Sequence, residues 1–276
     1  MRDPANPEYV LGHSDDELNR LARQSHYWGE ATLEVLQRAG ITTGMRVVDL
    51  GCGPGDVSLL AAATVGSSGS VLGIDRSPEA IAAARGRAKA AGLSNAQFQT
   101  NDLNELEPST TFDALLGRFV LMYFAEPGAI VRSWLKHLRP GGIVAFLEMD
   151  MNAARSVPTV PLVETTLDWL RGTFRKARVP CDLGPQVWKV FRAAGLPDPP
   201  LIYRSRVEPC PAPETAHYLA ETVRSLLPMM ERFGVASSSE VDIETLAQRL
   251  LEALRAEDAT ILPPGVVGAW TRVPGG

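Results

Sequence analysis

A glycine-rich turn, DLGCGPGD at residues 49–56, has the clearest potential for chemistry in this chain. It follows the apolar run 45–50, and such a run ending in glycines predicts a buried strand that feeds a turn. Glycine allows the backbone to bend sharply and to lie close to a ligand. The helix expected to begin near Asp56 points its positive amino-terminal end at the same place. The turn therefore predicts a binding loop at the carboxyl end of a strand.

Another acidic residue, Asp75, ends the apolar run 71–75. A carboxylate there can accept hydrogen bonds from both hydroxyls of a ribose, so the two strand ends define a site of nucleoside size. The glycines of the turn have the spacing G-x-G-x-G, whereas a dinucleotide-binding turn has G-x-G-x-x-G. Asp49 precedes them and would repel a pyrophosphate, but it would attract the sulfonium and α-ammonium groups of S-adenosylmethionine. Spacing and charge together favour S-adenosylmethionine over NAD as the cofactor.

The elements that must position these residues alternate along the middle of the chain. Short apolar runs with helical patterns between them predict strands at about 45–50, 71–75, 96–100, 112–116 and 143–148. Strands and helices that alternate with short links predict a doubly wound, mostly parallel sheet with right-handed crossovers. The alternation loosens after Asp150. There the patterns predict helices at about 160–178, 185–194, 213–232 and 240–257, and strands at 201–207 and 266–273.

Two helical segments are predicted before the first strand. Ser14 and Glu17 form a capping-box pattern, which predicts a helix over about 14–25. A second helix is expected over 30–39, and the segment HYW at 26–28 separates the two. The first helix could also cross to a neighbouring subunit and form a homo-oligomer.

Five segments of the chain resemble the class I S-adenosylmethionine-dependent methyltransferase family, especially the small-molecule branch similar to ubiquinone and menaquinone methyltransferases. They are VVDLGCGPG at 47–55, GIDRSP at 73–78, ND at 101–102, FD at 112–113 and LRPGG at 138–142. Five pieces in the right order and spacing form a specific pattern, which covers about residues 41–150. The resemblance implies an α/β fold: a Rossmann-like doubly wound sheet of seven strands, mostly parallel with the last antiparallel, with helical lid insertions.

The implied organisation is one compact unit with three parts. These are an amino-terminal helical cap at 1–40, a cofactor-binding Rossmann-like core at 41–150, and a region 151–276 that holds the remainder of the sheet (about 185–208 and 260–273) and inserted lid helices (about 159–178 and 211–258). In-line transfer of an activated methyl group needs alignment and a dry pocket, which a lid would supply. Aromatic residues outside the sheet core fit a largely apolar acceptor: Tyr9, Tyr27, Trp28, Trp169, Phe174, Tyr218 and Phe233.

The resemblance also implies roles around the methionine part of the cofactor. Gly51, Gly53 and Gly55 would pass under this part of S-adenosylmethionine, and Asp49 would lie near its amino group. S-adenosylhomocysteine would be the product. Alternatively, the glycine turn could serve only tight packing, because isolated glycine motifs are weak evidence for a binding site.

Another group of residues would hold the adenosine part, again as the resemblance implies. Asp75 would bind the ribose, and Arg76 would cover one face of the adenine. Asp102, with Asn101 before it, would accept a hydrogen bond from the adenine amino group, and Leu103 would contribute its backbone amide. Asp75 and Asp102 could instead serve as helix caps or turn formers.

On the acceptor side, Arg118 and Phe119 would lie beneath the methionine part and border the acceptor pocket, although Arg118 could equally form a surface salt bridge. A general base is needed only if the acceptor must lose a proton. The candidates are His26, Tyr27 and Glu148, each of which could instead be structural. Glu148 with Asp150 and Asn152 suggests a metal site, but the spacing matches no such family well, and we expect no metal.

Composition narrows the partners and the compartment. The net charge of −5 argues against a nucleic-acid protein that depends on a global basic field. Three cysteines without a CxxC pair suit a reducing compartment. No apolar run long enough to span a membrane and no signal-peptide pattern is evident, so we expect a soluble cytoplasmic protein with a small-molecule acceptor.

Three alternatives remain open from the sequence. The first is an NAD(P)-dependent oxidoreductase on a similar sheet, and the second is a non-catalytic protein that keeps the cofactor site. The third is a methyltransferase for RNA or protein, which the acidic charge and the lack of a basic or aromatic RNA-binding module disfavour. The acceptor is not readable, and oxygen, nitrogen and electron-rich carbon all remain possible. We lean towards a natural-product or lipid-like acceptor with ring or prenyl character.

Overall fold

A computed structural model describes the backbone of residues 15–275 and the side chains of residues 27–275. The helix cap predicted at Ser14 and the side chain of His26 therefore lie outside the described residues. The nine strands of this part of the chain are β1 (Arg46–Leu50), β2 (Ser70–Asp75), β3 (Ala96–Thr100), β4 (Phe112–Arg118), β5 (Leu138–Asp150), β6 (Arg155–Val157), β7 (Leu201–Arg204), β8 (Thr260–Leu262) and β9 (Gly265–Arg272). The nine α-helices are α1 (Asp15–Ala39), α2 (Asp56–Val65), α3 (Pro78–Ala90), α4 (Pro127–Leu135), α5 (Pro161–Lys176), α6 (Val187–Ala193), α7 (Pro213–Arg232), α8 (Ser238–Val241) and α9 (Ile243–Ala256).

Seven of the strands form one sheet in the order β3-β2-β1-β4-β5-β9-β7. Strands β1 to β5 pair in parallel, and β9 runs antiparallel to both of its neighbours. The predicted doubly wound sheet with an antiparallel last strand is confirmed. The strand order reverses between β1 and β4, and open α/β sheets bind ligands outside the carboxyl ends of their strands at such a switch point.

Helices cover both faces of the sheet, and successive apolar residues of each strand point to opposite faces. Val47 and Leu116 face one core with α1, α2, α5, α7 and α9, whereas Val48 and Leu115 face the other core with α4 and α6. Burial on both faces explains why these strands read as continuous apolar runs. Helix α7 packs against α1, α5 and α9, so α5, α7 and α9 lie over the same face as α1.

The predicted break in the amino-terminal region is wrong, because α1 is a single helix of 25 residues. Trp28, which lies in the expected break, is buried on the same helix face as Thr32, Val35, Leu36 and Ala39. The hydroxyl of Thr32 also donates to the carbonyl of Trp28 at 2.8 Å, as serine and threonine do within helices. A second, two-stranded sheet of β6 and β8 was not predicted. No helix within residues 15–275 combines the length and the apolar composition needed to cross a membrane.

Candidate active site

The glycine turn follows β1, and its three glycines differ in what surrounds them. All three have positive φ angles, between +52° and +88°. A Cβ atom on Gly51 would overlap the side chain of Val120, and one on Gly55 would lie 3.1 Å from Phe98, so these two positions are packed. A Cβ on Gly53 would meet no atom within 4 Å. Of the three, Gly53 thus presents a bare backbone to open space, which is where a ligand could approach closely.

Asp75, at the end of β2, joins the two strand ends that the sequence pattern predicted to be neighbours. One carboxylate oxygen accepts a hydrogen bond from the backbone amide of Gly53 at 2.9 Å, and the other accepts from the amide of Ser77, also at 2.9 Å. The carboxylate is therefore held beside the open face of the turn. Arg76 follows it and is exposed at the same edge of the sheet.

Asp49, the fourth residue of β1, is a buried carboxylate with an incomplete set of partners. The hydroxyl of Ser58 donates to its Oδ2 at 2.6 Å, whereas its Oδ1 is buried and has no hydrogen-bond partner within the described part of the chain. Burial raises the pKa of Asp49 from 3.8 to about 7, although the Ser58 hydrogen bond and the charge of Arg118 oppose this. A buried carboxylate of this kind is poised to accept a cationic partner.

Arg118, the last residue of β4, is buried rather than on the surface. Its guanidinium lies 3.3 Å from Asp56, at the start of α2, and donates to the hydroxyl of Thr32 at 2.9 Å. Asp56 also accepts from Arg87 of α3 at 2.5 Å. Burial lowers the pKa of Arg118, and the charge of Asp56 opposes the shift. This group ties α1, α2 and α3 to the end of β4, behind the glycine turn.

The residues predicted to meet the adenine follow β3. The backbone amide of Asn101 donates to the carbonyl of Asp75 at 3.0 Å, so this segment lies beside the end of β2. One oxygen of the exposed Asp102 carboxylate accepts from the backbone amide and the side-chain amide of Asn104 at 2.8 and 2.9 Å. Leu103 between them is half-buried. The structure therefore brings Asn101, Asp102 and Leu103 to the same edge as the glycine turn.

Glu148 lies in β5 and is fully buried. Its Oε1 accepts hydrogen bonds from the backbone amides of Val120 at 3.2 Å and Leu121 at 2.9 Å. Its Oε2 is buried without a partner among residues 27–275. Burial raises the pKa of Glu148 to about 8, against the effect of these hydrogen bonds. Because Val120 also packs on Gly51, Glu148 fixes the segment that contacts the glycine turn.

Phe119, which follows β4 with a positive φ of 55°, belongs to a cluster of aromatic rings. Trp28 meets Phe119 edge to face, with ring centroids 6.2 Å apart, and Tyr27 stacks on Tyr218 at 4.7 Å. The Tyr27 hydroxyl is hydrogen-bonded to the hydroxyl of Thr215 at 2.9 Å, and burial raises the pKa of Tyr27 well above its ordinary value. The rings form an apolar wall that includes Phe119, at the carboxyl end of β4.

Sequence reasoning missed several partners of the predicted site residues. Ser58 donates a hydrogen bond to Asp49, and Thr32 accepts one from Arg118. Arg87 forms an ion pair with Asp56, in addition to that of Arg118. Asp56 and Ser58 are polar positions in the first turn of a mostly apolar helix, and that contrast is the sequence signal that could have revealed them. Among the described side chains no three potential metal ligands converge on one point.

A family model described as a methyltransferase domain matches residues 41–180 of the chain, which include every predicted cofactor-binding residue. The chain belongs to the class I S-adenosylmethionine-dependent methyltransferases. The ubiquinone biosynthesis O-methyltransferase of Rhizobium etli is 33% identical over 132 residues, which are 47% of this chain and 52% of that protein. The demethylmenaquinone methyltransferase of Staphylococcus aureus is 30% identical over 150 residues, 53% and 58% of the two chains. The chain therefore spans about half the length of the curated relatives it matches.

A solved structure shares the fold across most of this methyltransferase-family chain. The crystal structure of the [4+2]-cyclase SpnF superposes with a TM-score of 0.51 at 23% identity, covering 90% of this chain and 81% of the other. At that identity the likeness shows the fold alone.

S-adenosylmethionine is the cofactor of the family, and the residues at this edge fit it. The open face of Gly53 leaves room for close approach, and the unpartnered Oδ1 of Asp49 can accept from an ammonium group. The carboxylate of Asp75 is fixed by the backbone amides of Gly53 and Ser77, beside the turn. These are the groups that the resemblance implies for the methionine part, the ammonium group and the ribose of the cofactor.

Proposed function

We propose that the protein transfers the methyl group of S-adenosylmethionine to a small, largely apolar acceptor, at an oxygen, a nitrogen or an electron-rich carbon. The observation that carries this proposal is Asp49, a buried carboxylate with an unpartnered oxygen next to the turn that contains Gly53. Such a carboxylate is costly unless a cation compensates it. S-adenosylmethionine supplies an activated methyl group on a sulfonium, together with an α-ammonium group.

The residues around the glycine turn would bind and orient the cofactor. Asp49 would pair with the ammonium group, and Gly53 would allow the backbone to lie against the methionine part. Asp75 would accept from the ribose hydroxyls with the lone pairs that its two backbone contacts leave free. Asp102 would accept from the adenine amino group through the oxygen that Asn104 does not use.

The aromatic wall would exclude water and align the acceptor. Trp28, Phe119 and Tyr218 meet near the carboxyl end of β4, beside the predicted methionine subsite. Alignment of an already activated methyl group in a dry pocket is the main contribution that a protein makes to such a transfer. The names of the two quinone-pathway relatives support a ring-bearing acceptor, and we place the reaction in natural-product biosynthesis. We propose α5, α7 and α9 as the lid over this pocket.

Two of the three candidate bases have contacts that favour other roles. The phenol of Tyr27 has a raised pKa and stays protonated, so it can donate a hydrogen bond but is a poor base. Glu148 is occupied with the amides of Val120 and Leu121, which favours a positioning role for its carboxylate. His26 stays a prediction as a residue that lines the site.

Isothermal titration separates this proposal from a nicotinamide-dependent reaction. We expect S-adenosylhomocysteine to bind and NADH not to bind, and Asp75→Asn to weaken S-adenosylhomocysteine at least tenfold because the ribose loses a charged acceptor. Glu79→Gln is the control, because Glu79 is exposed in the first turn of α3 and is not among the residues proposed to contact the cofactor. Binding of NADH in place of S-adenosylhomocysteine would refute the proposal. Incubation with S-adenosylmethionine and a panel of quinols, followed by mass spectrometry of S-adenosylhomocysteine and methylated product, then tests transfer.

We also propose a cytoplasmic location, supported by the free thiols of Cys52, Cys181 and Cys210. A homo-oligomer through α1 stays a prediction, which light scattering coupled to size exclusion tests. The absence of a nucleic-acid partner and of a metal also stays a prediction.

A further inference from the structure

A cavity of about 860 Å³ opens next to the carboxyl ends of β4 and β5. Its walls are formed by the segment after β4, which includes Leu121 and Phe124, and by the segment after α5, which includes Val179 and Leu183. The volume is within the range of small-molecule sites, and these four side chains give it an apolar lining. Val120 packs on Gly51 of the cofactor turn, and the next residue, Leu121, lines the cavity. The cavity and the predicted methionine subsite therefore border the same short segment.

Three arginines line this cavity, although the chain as a whole is acidic, with a net charge of −5. Arg175 and Arg178 are exposed at its edge, and neither has an ion-pair partner among the described residues. The one acidic residue in the lining, Asp182, accepts a hydrogen bond from the side-chain amide of Asn152 at 3.2 Å. The cavity thus combines an apolar lining with an excess of positive charge.

Arg171, the third arginine, lies 3.5 Å from the exposed carboxylate of Asp168 through its Nη1, and it also has a spare donor. Its Nη2 donates to the carbonyls of Ala154 at 2.7 Å and Met151 at 3.4 Å, which anchors the guanidinium to the segment after β5. Its Nε is buried and has no partner within residues 27–275. A buried donor of this kind needs an explanation, and guanidinium groups bind carboxylates with matched geometry.

Arg178 occupies a position that favours a different residue. It follows the carboxyl-terminal end of α5 with a φ of +60°, in the left-handed region where helices commonly end in glycine. An arginine in this conformation is strained by the contacts of its Cβ. The local backbone therefore gives no reason for arginine here, whereas the cavity that its side chain lines does.

We propose that this cavity binds the carboxylate of an apolar methyl acceptor, so that the acceptor class is an apolar acid. Arg171, Arg175 and Arg178 would hold the carboxylate, and the apolar lining would hold the body of the molecule. The inference rests on the proposed function, because it assigns the bound acid as the methyl acceptor. The arginines of the cavity would attract the anionic acceptor, and the carboxylate of Asp49 would attract the cationic cofactor.

Titration calorimetry in the presence of saturating S-adenosylhomocysteine tests this assignment with 2-naphthoate and its neutral analogue 2-naphthamide. We expect naphthoate to bind about tenfold tighter than naphthamide, and the double variant Arg175→Gln/Arg178→Gln to abolish that preference. Raising the salt concentration should weaken naphthoate alone. Equal affinities for the two probes in the wild type, or a double variant that keeps the preference, would overturn the proposal.

Two further variants separate binding from folding and from net charge. Arg178→Gly should weaken naphthoate severalfold with a melting temperature no lower than that of the wild type, because glycine relieves the left-handed backbone. Arg255→Gln removes one positive charge, as Arg178→Gly does, but from the exposed end of α9 outside the cavity lining, and it should leave naphthoate affinity unchanged. A loss of affinity in Arg255→Gln equal to that in Arg178→Gly would contradict a local site. Failure of S-adenosylhomocysteine to bind would refute the proposed function, whereas its normal binding without charge preference would refute the apolar-acid assignment alone.

Discussion

Asp49→Asn should make the ligand-free protein more stable in a pH-dependent way, although it removes a residue of the proposed cofactor site. The wild-type carboxylate is buried beside Asp56 and Asp75, and burial raises its pKa from 3.8 to about 7. Asparagine keeps an oxygen that can accept from Ser58, and it carries no charge to desolvate. The substitution therefore removes the energetic cost of an ionised carboxylate in this environment.

The size of the effect follows from the two pKa values of Asp49. Between about pH 4 and pH 7 the unfolded chain has released this proton and the folded chain still holds it, so the free energy of unfolding falls as pH rises. The contribution is fully present below the unfolded pKa and is lost above the folded pKa. Each pH unit within that window changes the free energy by about 1.4 kcal/mol. Asp49 therefore costs the wild type about 2 kcal/mol more at pH 8 than at pH 5.5.

Urea unfolding of the wild type and Asp49→Asn at these two pH values measures this difference. We expect the variant's advantage in unfolding free energy to grow by about 2 kcal/mol from pH 5.5 to pH 8, or about 5 °C in melting temperature. Glu148 also has a raised pKa, but it is present in both proteins, so its contribution cancels. An advantage that is the same at both pH values would show that Asp49 is already ionised at pH 5.5, with Arg118 compensating its charge, and would refute the reasoning.

Three further predictions concern the same site. The affinity for S-adenosylhomocysteine should rise about tenfold from pH 6 to pH 8, because Asp49 must be ionised to pair with the ammonium group; calorimetry should show no such rise in Asp49→Asn, and a flat wild-type profile would contradict the pairing. Gly53→Ala should lower the free energy of unfolding by only about 1 kcal/mol but weaken the binding of S-adenosylhomocysteine at least tenfold, whereas Gly51→Ala should lower the free energy of unfolding by several kcal/mol because its Cβ overlaps Val120. Denaturation and calorimetry on both variants test this, and a larger loss of stability in Gly53→Ala would contradict it. Glu148→Gln should keep kcat within about fivefold, because its amide oxygen still accepts from the backbone; a loss of a hundredfold or more would instead identify a general base.

The sheet could be predicted from the sequence because its signals are local. Short apolar runs that end in glycine or acidic residues mark β1 and β2, and both lie within one residue of their predicted bounds. The break predicted in α1 was wrong because its buried face depends on contacts with α7 and the sheet, which no local pattern reveals. The strands β6 and β8 have three residues each, too few for a periodic pattern, and they pair across a long stretch of sequence.

The residues of the proposed cofactor site could also be predicted from local patterns, but the contacts that support them could not. Asp49 and Gly53 lie within one turn, so their spacing shows that they act together. Arg118, in contrast, meets Thr32 across 86 positions of sequence and Asp56 across 62. Its burial, which distinguishes a positioning ion pair from a surface salt bridge, depends on how α1 and α2 pack on the sheet. The three arginines of the cavity were not singled out, because only the packing of α5 shows which of its charges face a pocket.

The buried side-chain atoms without hydrogen-bond partners among residues 27–275 include acidic groups in β1 and β5 and a basic group in α5. Asp49 and Glu148 each have an unpartnered carboxylate oxygen, and Arg171 has an unpartnered guanidinium nitrogen. In a folded protein such atoms persist where something else compensates for their cost. A cation would satisfy Asp49, and an anion would satisfy Arg171. Asp49 would thus attract the cationic methyl donor and Arg171 an anionic acceptor, while Glu148 fixes the segment of Val120 and Leu121 through its hydrogen bonds to their backbone amides.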